Sequence, residues 1–548
     1  MSAASKPPSS ATAPRGWLFG PVSDLLFGCG LAYVAVFVLH CIAGARLREW
    51  VPFALLPIAT LLVSTPHYGA TLIRVYEDRQ ERRLQARFAI WATAALCLAF
   101  WLSLRSIALG SLFVTLYLTW SPWHYTAQNF GVAMVLLRRR GAAPTPLAGR
   151  LLRASFVCSF ALAFVSLHGQ ATPAYMPDGV TGYAYYVRTL GIPAPVRDFA
   201  LAAGSLVWLG LSGSAAFLLL RGGTWRAVAP ALLLILSQTL WFVVPALARN
   251  WQIAQGVEPL GLAQAQYAFL WIALAHAAQY VWITASYEEA RERDFSVSRF
   301  YARALAAGST AWTLPALVFA PGVLGALPFD AGLGMLVAAL VNLHHFMLDG
   351  VIWKLRDARV ARVLRLESNA KPVPIAVDPR RGAKRALVGV LGAASLGVSL
   401  LGAFEMDRGV GAGFARGDVR RLETADQRLR WIGRASPEVR TRIGLLELRA
   451  GRLDAAEHDF DASLALHPTA SAWIAKGYVA AKRANFAGAL QSYDRALELD
   501  PRSLEALYQS AYALLELGRR EEARVRLERG LAIEPDNAKL RGLLDSAR

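Results

Sequence analysis

The chain has 548 residues, 55% of them apolar, with a mean hydropathy of +0.35 and a formal net charge of +19. Many stretches of roughly 20 apolar residues exclude an ordinary water-soluble enzyme and indicate a polytopic membrane protein with a soluble appendage. The basic excess is scattered through short loops and a helical tail rather than along one aromatic-studded surface, which argues for topology and against a nucleic-acid partner.

In chain order, residues 1–18 read as a disordered cytoplasmic tail, since MSAASKPPSSATAPR lacks the apolar core of a cleavable signal. Residues 19–405 form the transmembrane domain. About eleven spans are expected, over 22–45, 52–73, 87–104, 107–137, 151–168, 198–220, 227–248, 262–286, 302–326, 330–353 and 385–404. Lys and Arg crowd the even-numbered connections: Arg74 to Arg87, Arg138 to Arg153, Arg221 with Arg226, Arg291 to Arg303, and Lys354 to Arg385. The positive-inside rule puts these in the cytoplasm, with the N-terminus, and puts the C-terminal domain outside. In a Gram-negative bacterium that means the inner membrane and a periplasmic C-terminal domain. The four cysteines, Cys29, Cys41, Cys97 and Cys158, all fall in spans without C-x-x-C spacing and read as small apolar packing residues.

Five histidines interrupt the apolar spans: His67, His124, His276, His344 and His345. Ionisable groups in a bilayer are costly and face a protein interior or water cavity, so their gathering is a functional-site signal. The four spans that carry them all run from outside to inside. Depth measured back from the first charge at each inner end is roughly 10 Å for His67, 14 for His345, 18 for His276 and 21 for His124, at about 1.5 Å per residue. Helix tilt of around 20° absorbs most of that spread, so the imidazoles are expected in one layer of the inner leaflet. His40 and His168 fall near outer span ends, where interfacial exposure accounts for them.

Each inner histidine has a polar residue one turn on: His67 with Thr71, His124 with Gln128, His276 with Tyr280, and His345 with Asp349. Metal-bound imidazoles normally give their second N–H to such a group. Asn342 shares the face of His345 and Asp349, while His344 points about 100° away, toward a second metal or an adjacent helix. Pro66 and Pro122 precede two of the histidines and free carbonyls near Leu62 and Leu118, irregular backbone that suits a protein-lined cavity.

Imidazole with at most one carboxylate suits iron, copper or zinc rather than magnesium or calcium. Four or five histidines exceed the needs of a closed zinc site. The expected centre is non-haem iron on His67, His124, His276 and His345, acting as an oxygenase on a lipid-soluble substrate, with zinc, copper or haem as other occupants. The PHYGA segment (66–70) resembles the bacterial carotenoid-cleaving membrane dioxygenases, a likeness that implies histidines from several spans around iron. The acidic partner that follows that family's motif is absent, since Arg74 and Val75 occupy the region. WHYTAQNFG (123–131) and HHFMLDGVIWK (344–354) resemble segments of bacterial His-rich multi-pass membrane proteins, which brings no activity with it. Against a site stands interhelical hydrogen-bond glue worth about 0.6 kcal/mol per residue. A b-type haem carrier, a metal transporter, a membrane glycosyltransferase and a non-catalytic scaffold also remain open.

After a linker at 406–420, residues 421–548 are amphipathic and periodic. Pro437, Pro468, Pro501 and Pro535 are spaced by 31, 33 and 34 residues, in register with Gly444, Gly477 and Ala511 and with Ala456, Ala489 and Ala523. Small residues recur where two helices of a hairpin cross closely, and Phe460, Tyr493 and Leu527 fill the gap beside them. This pattern, with YDRALELDP (493–501), resembles the tetratricopeptide repeat family. The resemblance implies an α-solenoid that binds a protein or peptide, for which Trp473, Tyr478 and Tyr508 are candidate contacts. The expected architecture is all-α: a transmembrane helix bundle followed by the repeat solenoid.

Overall fold

The computed structural model describes residues 16–43, 46, 56–76, 79–169, 185, 187–250, 262–292, 294–353 and 381–547. Residues 1–15 of the expected tail and most of the basic Lys354 to Arg385 loop lie outside them. Among the described residues every regular element is a helix, and β-pairing is confined to isolated bridges, one of them between Pro321 and Gly325.

The N-terminal domain is a bundle of helices: α1 (Leu31–Ala43), α2 (Thr65–Tyr76), α3 (Arg79–Ser103), α4 (Ile107–Arg139), α5 (Pro146–His168), α6 (Ala194–Gly222), α7 (Trp225–Gln238), α8 (Leu262–Glu289), α9 (Val297–Val318), α10 (Gly334–Ile352) and α11 (Arg381–Phe404). Local chemistry sets their starts. Ser106, Thr145, Thr224 and Ser296 each accept a backbone N–H from the first turn of α4, α5, α7 and α9. A helix falls on each of the eleven expected segments. Five stretches are long and apolar enough to cross a membrane, namely Pro146–His168, Ala194–Gly222, Trp225–Ala248, Phe329–Ile352 and Gly382–Arg416. A sixth results if Pro21–Gly28 and α1, bent by 61°, count as one. Three of the four histidine-bearing helices, α2, α4 and α8, fall short of that standard, and the polar residues they turn inward are one reason.

Helices α2 and α9 touch backbone to backbone. A Cβ on Gly69 would overlap the Ala304 carbonyl oxygen, and one on Gly308 would overlap that of Thr65. This contact seats the PHYGA turn. At the opposite end of the bundle Tyr185 fills the notch beside Gly110 and Gly332, and its hydroxyl donates to the Ser103 carbonyl at 3.0 Å.

Residues 406–420 are mostly helical rather than an open linker. Helix α11 continues through a wide π turn, Glu405–Gly411, and Ala412–Arg416, ends at a left-handed Gly417, and is followed by α12 (Val419–Trp431), which Asp418 caps. Glu405 is fully buried there and accepts from Arg428 at 2.6 Å. The repeats follow as α13 (Pro437–Arg449), α14 (Leu453–Leu466), α15 (Ala470–Lys482), α16 (Phe486–Leu499), α17 (Leu504–Glu516), α18 (Arg520–Ile533) and α19 (Ala538–Ala547). Ser436, Thr469 and Ser503 cap the first helix of each hairpin. The small-residue columns lie where expected: a side chain at Gly444 or Gly477 would strike the ring of Phe460 or Tyr493. The solenoid is joined to the bundle at the end that bears Phe329 and Ala320. Arg434 lies 4.5 Å over the Phe329 ring, and the Ser436 hydroxyl donates to Asp330.

Candidate metal centre

His67 on α2, His124 on α4, His276 on α8 and His345 on α10 meet in the interior of the bundle. One nitrogen from each ring lies within 4.8 Å of the other three. All four side chains are buried. The His67 and His345 ring centroids are 4.0 Å apart, and the Nε2 atoms of His124 and His345 are 3.1 Å apart. Two opposed metal–nitrogen bonds of about 2.1 Å reach about 4.2 Å, so shifts of well under 1 Å would close the four nitrogens on one ion.

Irregular backbone delivers two of these rings. A π turn at Thr60–Ser64 precedes Pro66, and the Leu62 carbonyl that the proline cannot use accepts from the Tyr301 hydroxyl on α9. Pro122 lies inside α4 two residues before His124.

The polar partners gather around the cluster, but mostly across helices. Thr71 bonds Nδ1 of His345 at 2.7 Å rather than its own neighbour His67. The Tyr280 hydroxyl donates to Asp349 Oδ1 at 2.6 Å and lies 2.6 Å from Thr71, so it serves α10 and α2 instead of His276. Gln128 donates to the His276 carbonyl at 3.2 Å and to Gln279 at 2.5 Å, and leaves His124 alone. Asn342 accepts from the Tyr68 hydroxyl at 3.1 Å and stands one turn behind His345. The pair His345 and Asp349 does meet within its helix, Nε2 to Oδ2 at 3.4 Å, and His124 Nε2 is 3.8 Å from the same oxygen. The reason is geometric: residues four apart share a helix face, yet the nearest polar atom on that face belongs to the neighbouring helix.

His344 does not join the cluster. Its ring bonds Thr93 on α3 at 2.9 Å, and because Thr93 gives its own proton to the Ala89 carbonyl, it accepts from His344 Nε2. His40 and His168, expected at exposed interfaces, are both buried at 4% exposure. His168 bonds Thr119 at 3.0 Å beneath the Ile192 segment, whose backbone N–H caps the His168 carbonyl. Arg74, expected to open a cytoplasmic loop, is 1% exposed. Its guanidinium is stacked 3.9 Å from the Tyr287 ring and 3.7 Å from the Trp353 ring, and it donates to the Ile352 carbonyl at 3.0 Å. Two aromatic rings on adjacent sides, their centroids 5.6 Å apart and their planes inclined at 72°, are what admit a cation there.

Sequence reasoning missed a buried amide chain beside the site. Gln279 donates to Asn129 at 3.0 Å, Asn129 to Gln238 at 2.8 Å, and Gln238 to Thr126 and Ser159 at 2.8 Å each. These bonds tie α4, α5, α7 and α8 together. Single amides on separate helices carry no spacing signal, so nothing in the chain joined them.

The chemistry of the donor set fits a cation. Among the described residues, neither ring nitrogen of His67, and neither of His276, has a hydrogen-bond partner, although all four atoms are buried. A buried polar atom left unpaired costs about 1–3 kcal/mol. A metal ion would take one nitrogen from each ring. The Thr71 oxygen, hydrogen-bonded at 3.2 Å to Asp349 Oδ1, is placed to accept from His345 Nδ1–H, which leaves Nε2 as the ligand atom.

Beside the cluster lies a cavity of about 350 Å³ between α4, α8 and α10. His124, Tyr280, Asp349 and Gln128 line its polar end, and Trp120, Trp123, Phe346 and Trp353 its apolar walls.

On the solenoid, Trp473, Tyr478 and Tyr508 are all partly exposed. Lys476 and Arg495 flank the Trp473 ring at 5.8 and 5.9 Å. The Tyr478 hydroxyl is engaged within the fold, with Glu505 and with Gln509 at 2.9 Å.

Residues 441–503 and 480–546 each match the tetratricopeptide repeat family. Over 103 residues the chain is 34% identical to the anaphase-promoting complex subunit 3 of Schizosaccharomyces pombe, a match that takes in 19% of this chain and 16% of that protein. Among solved structures, a mutant of MamA aligns at 18% identity and a TM-score of 0.22, covering 26% of this chain and 86% of that one. The APC/C hetero-tetramer Cut9-Hcn1 aligns at 13% identity and 0.24, covering 86% and 95%. The C-terminal region is thus a tetratricopeptide repeat domain, of a kind that mediates protein–protein interaction.

Proposed function

We propose that this chain is an inner-membrane metalloprotein in which His67, His124, His276 and His345 hold one iron ion, and that the centre acts as an oxygenase on a lipid-soluble substrate. The observation that carries this reading is the pair of buried rings, His67 and His276, whose nitrogens have no hydrogen-bond partner among the described residues. Four neutral imidazoles suit iron, with zinc or copper as alternative occupants. Bound there, iron would supply dioxygen activation. The chain's own residues then have separate tasks: Thr71 and Asp349 orient His345, the Tyr280 hydroxyl holds a proton against Asp349 at the cavity's polar end, and the indole walls exclude water. Haem fits less well, because rings 4.0 to 5.0 Å apart leave no slot for a macrocycle among them.

The eleven-span topology belongs to the same proposal. It places the N-terminus in the cytoplasm and the repeats outside, where they would dock a protein partner through the face bearing Trp473, Tyr478 and Tyr508. Elemental analysis of detergent-purified protein tests the metal reading. About one iron per chain is expected, falling to background in His124→Ala and His345→Ala while size-exclusion profiles stay unchanged. Well-folded protein without metal would leave a scaffold that displays its repeats, and would end the oxygenase reading.

A further inference from the structure

The cavity beside the histidines has a wall that packing does not explain. Gly131 on α4 and Gly350 on α10 both line it, each inside a helix, and a Cβ added to either would meet nothing within 4 Å. Neither has a left-handed backbone. Turn and close approach are both excluded at these two positions, as they are at Gly210 on α6, but here the open space beside the glycines is the cavity itself, whose wall carries no side chain at either point.

That space has a direction. Helices α4 and α10 meet at the stack of His124 on Phe346, with ring centroids 4.4 Å apart, and the cavity separates them on the side of Gly131 and Gly350. Gly350 is exposed, as are Trp120 and Trp123 along the same edge. The far end of the bundle is closed by Tyr185 in its glycine notch. Of the lining, the charged and polar groups sit at the histidine end, and the remainder is indole, phenyl and aliphatic surface. A hydrated or charged ligand would lose its water along such a path with no group to replace it. The volume lies at the small end of the roughly 300–1,000 Å³ typical of ligand sites, which suits one hydrocarbon chain and not a two-tailed lipid.

We propose that the cavity is loaded sideways from the bilayer: a single hydrocarbon chain slides between α4 and α10 through a portal kept open by Gly131 and Gly350, and its leading part comes to rest against His124, Tyr280 and Asp349. This rests on the membrane placement and metal centre proposed above, and narrows the substrate to a slender, unbranched, membrane-dissolved chain.

Photolabelling tests the portal independently of the metal. Full-length protein is reconstituted in phosphatidylcholine vesicles containing a fatty acid with a mid-chain diazirine, irradiated, and mapped by peptide mass spectrometry. Wild-type protein is expected to carry adducts on the cavity residues Val135, Ile283 or Trp353, and also on Phe199 and Leu206, exposed on α6. In Gly131→Leu and in Gly350→Leu the cavity adducts should be lost while the α6 adducts stay, which also reports that the fold survived. Cavity adducts that persist in both leucine variants, or that are missing from the wild type, would overturn the proposal. Metal content, measured on the same samples, separates the two readings: labelling that obeys the glycines in iron-free protein keeps the portal and rejects the centre, and the reverse pattern does the opposite.

Discussion

At the scale of single residues, the cluster is organised by one hydroxyl. Thr71 contacts His345, Asp349 and Tyr280 at once, within 2.6 to 3.2 Å, and so links α2, α8 and α10 at the same atom. Replacing Thr71 by valine keeps the shape and removes the acceptor for His345 Nδ1–H. Metal affinity in competition with a chelator should then fall about 10- to 100-fold, the range for losing such a partner, and serine should restore it. An unchanged affinity in Thr71→Val would show that His345 is oriented by packing alone. The threonine was expected near a histidine, but as a partner of His67. Spacing along one helix identifies a face and stops there; which atom from another helix occupies that face depends on tertiary packing. For the same reason Arg74 looked like the start of a loop. A charge is read as a boundary until two aromatic rings, 213 and 279 positions away in the chain, are seen to enclose it.

At the scale of elements, the crossing of α2 and α9 sets where His67 stands. Gly69→Ala and Gly308→Ala each push a methyl into a carbonyl of the other helix, and an overpacked core costs about 1–3 kcal/mol. Both variants should melt earlier in detergent than wild type and lose metal. Gly210→Ala on α6, where a Cβ meets nothing within 4 Å, is the matched control and should be neutral or slightly stabilising. Equal melting of all three would mean that the crossing relaxes freely. The elements themselves were largely readable beforehand. Eleven helical segments follow from apolar runs bounded by charge, and the repeat hairpins follow from a period of 31 to 34 residues that places glycine opposite an aromatic ring. The π turns were not readable, because a widened turn needs only one extra residue and leaves no mark in the hydrophobic pattern.

At the scale of the whole molecule, two domains of different character are joined by a helical path broken only at Gly417 and Asp418. Composition announced both, since an apolar excess upstream and a periodic amphipathic tail are each visible without a structure. How they are fastened was hidden: Glu405, Arg434 and Ser436 look like ordinary polar residues of a connecting stretch until Arg428, Phe329 and Asp330 are found against them. The corner that Tyr287 and Trp353 form around Arg74 bears on how the protein is made. When α2 leaves the ribosome its arginine has neither ring beside it, and a guanidinium buried away from water without a partner is costly. The arginine therefore lacks its full enclosure until nearly 280 further residues have been synthesised and the last of its two aromatic neighbours arrives. Pulse-chase proteolysis of chains truncated before and after Trp353 should find the Arg74 region cleaved in the shorter form and protected in the longer; equal protection in both would show that assembly needs no such late step.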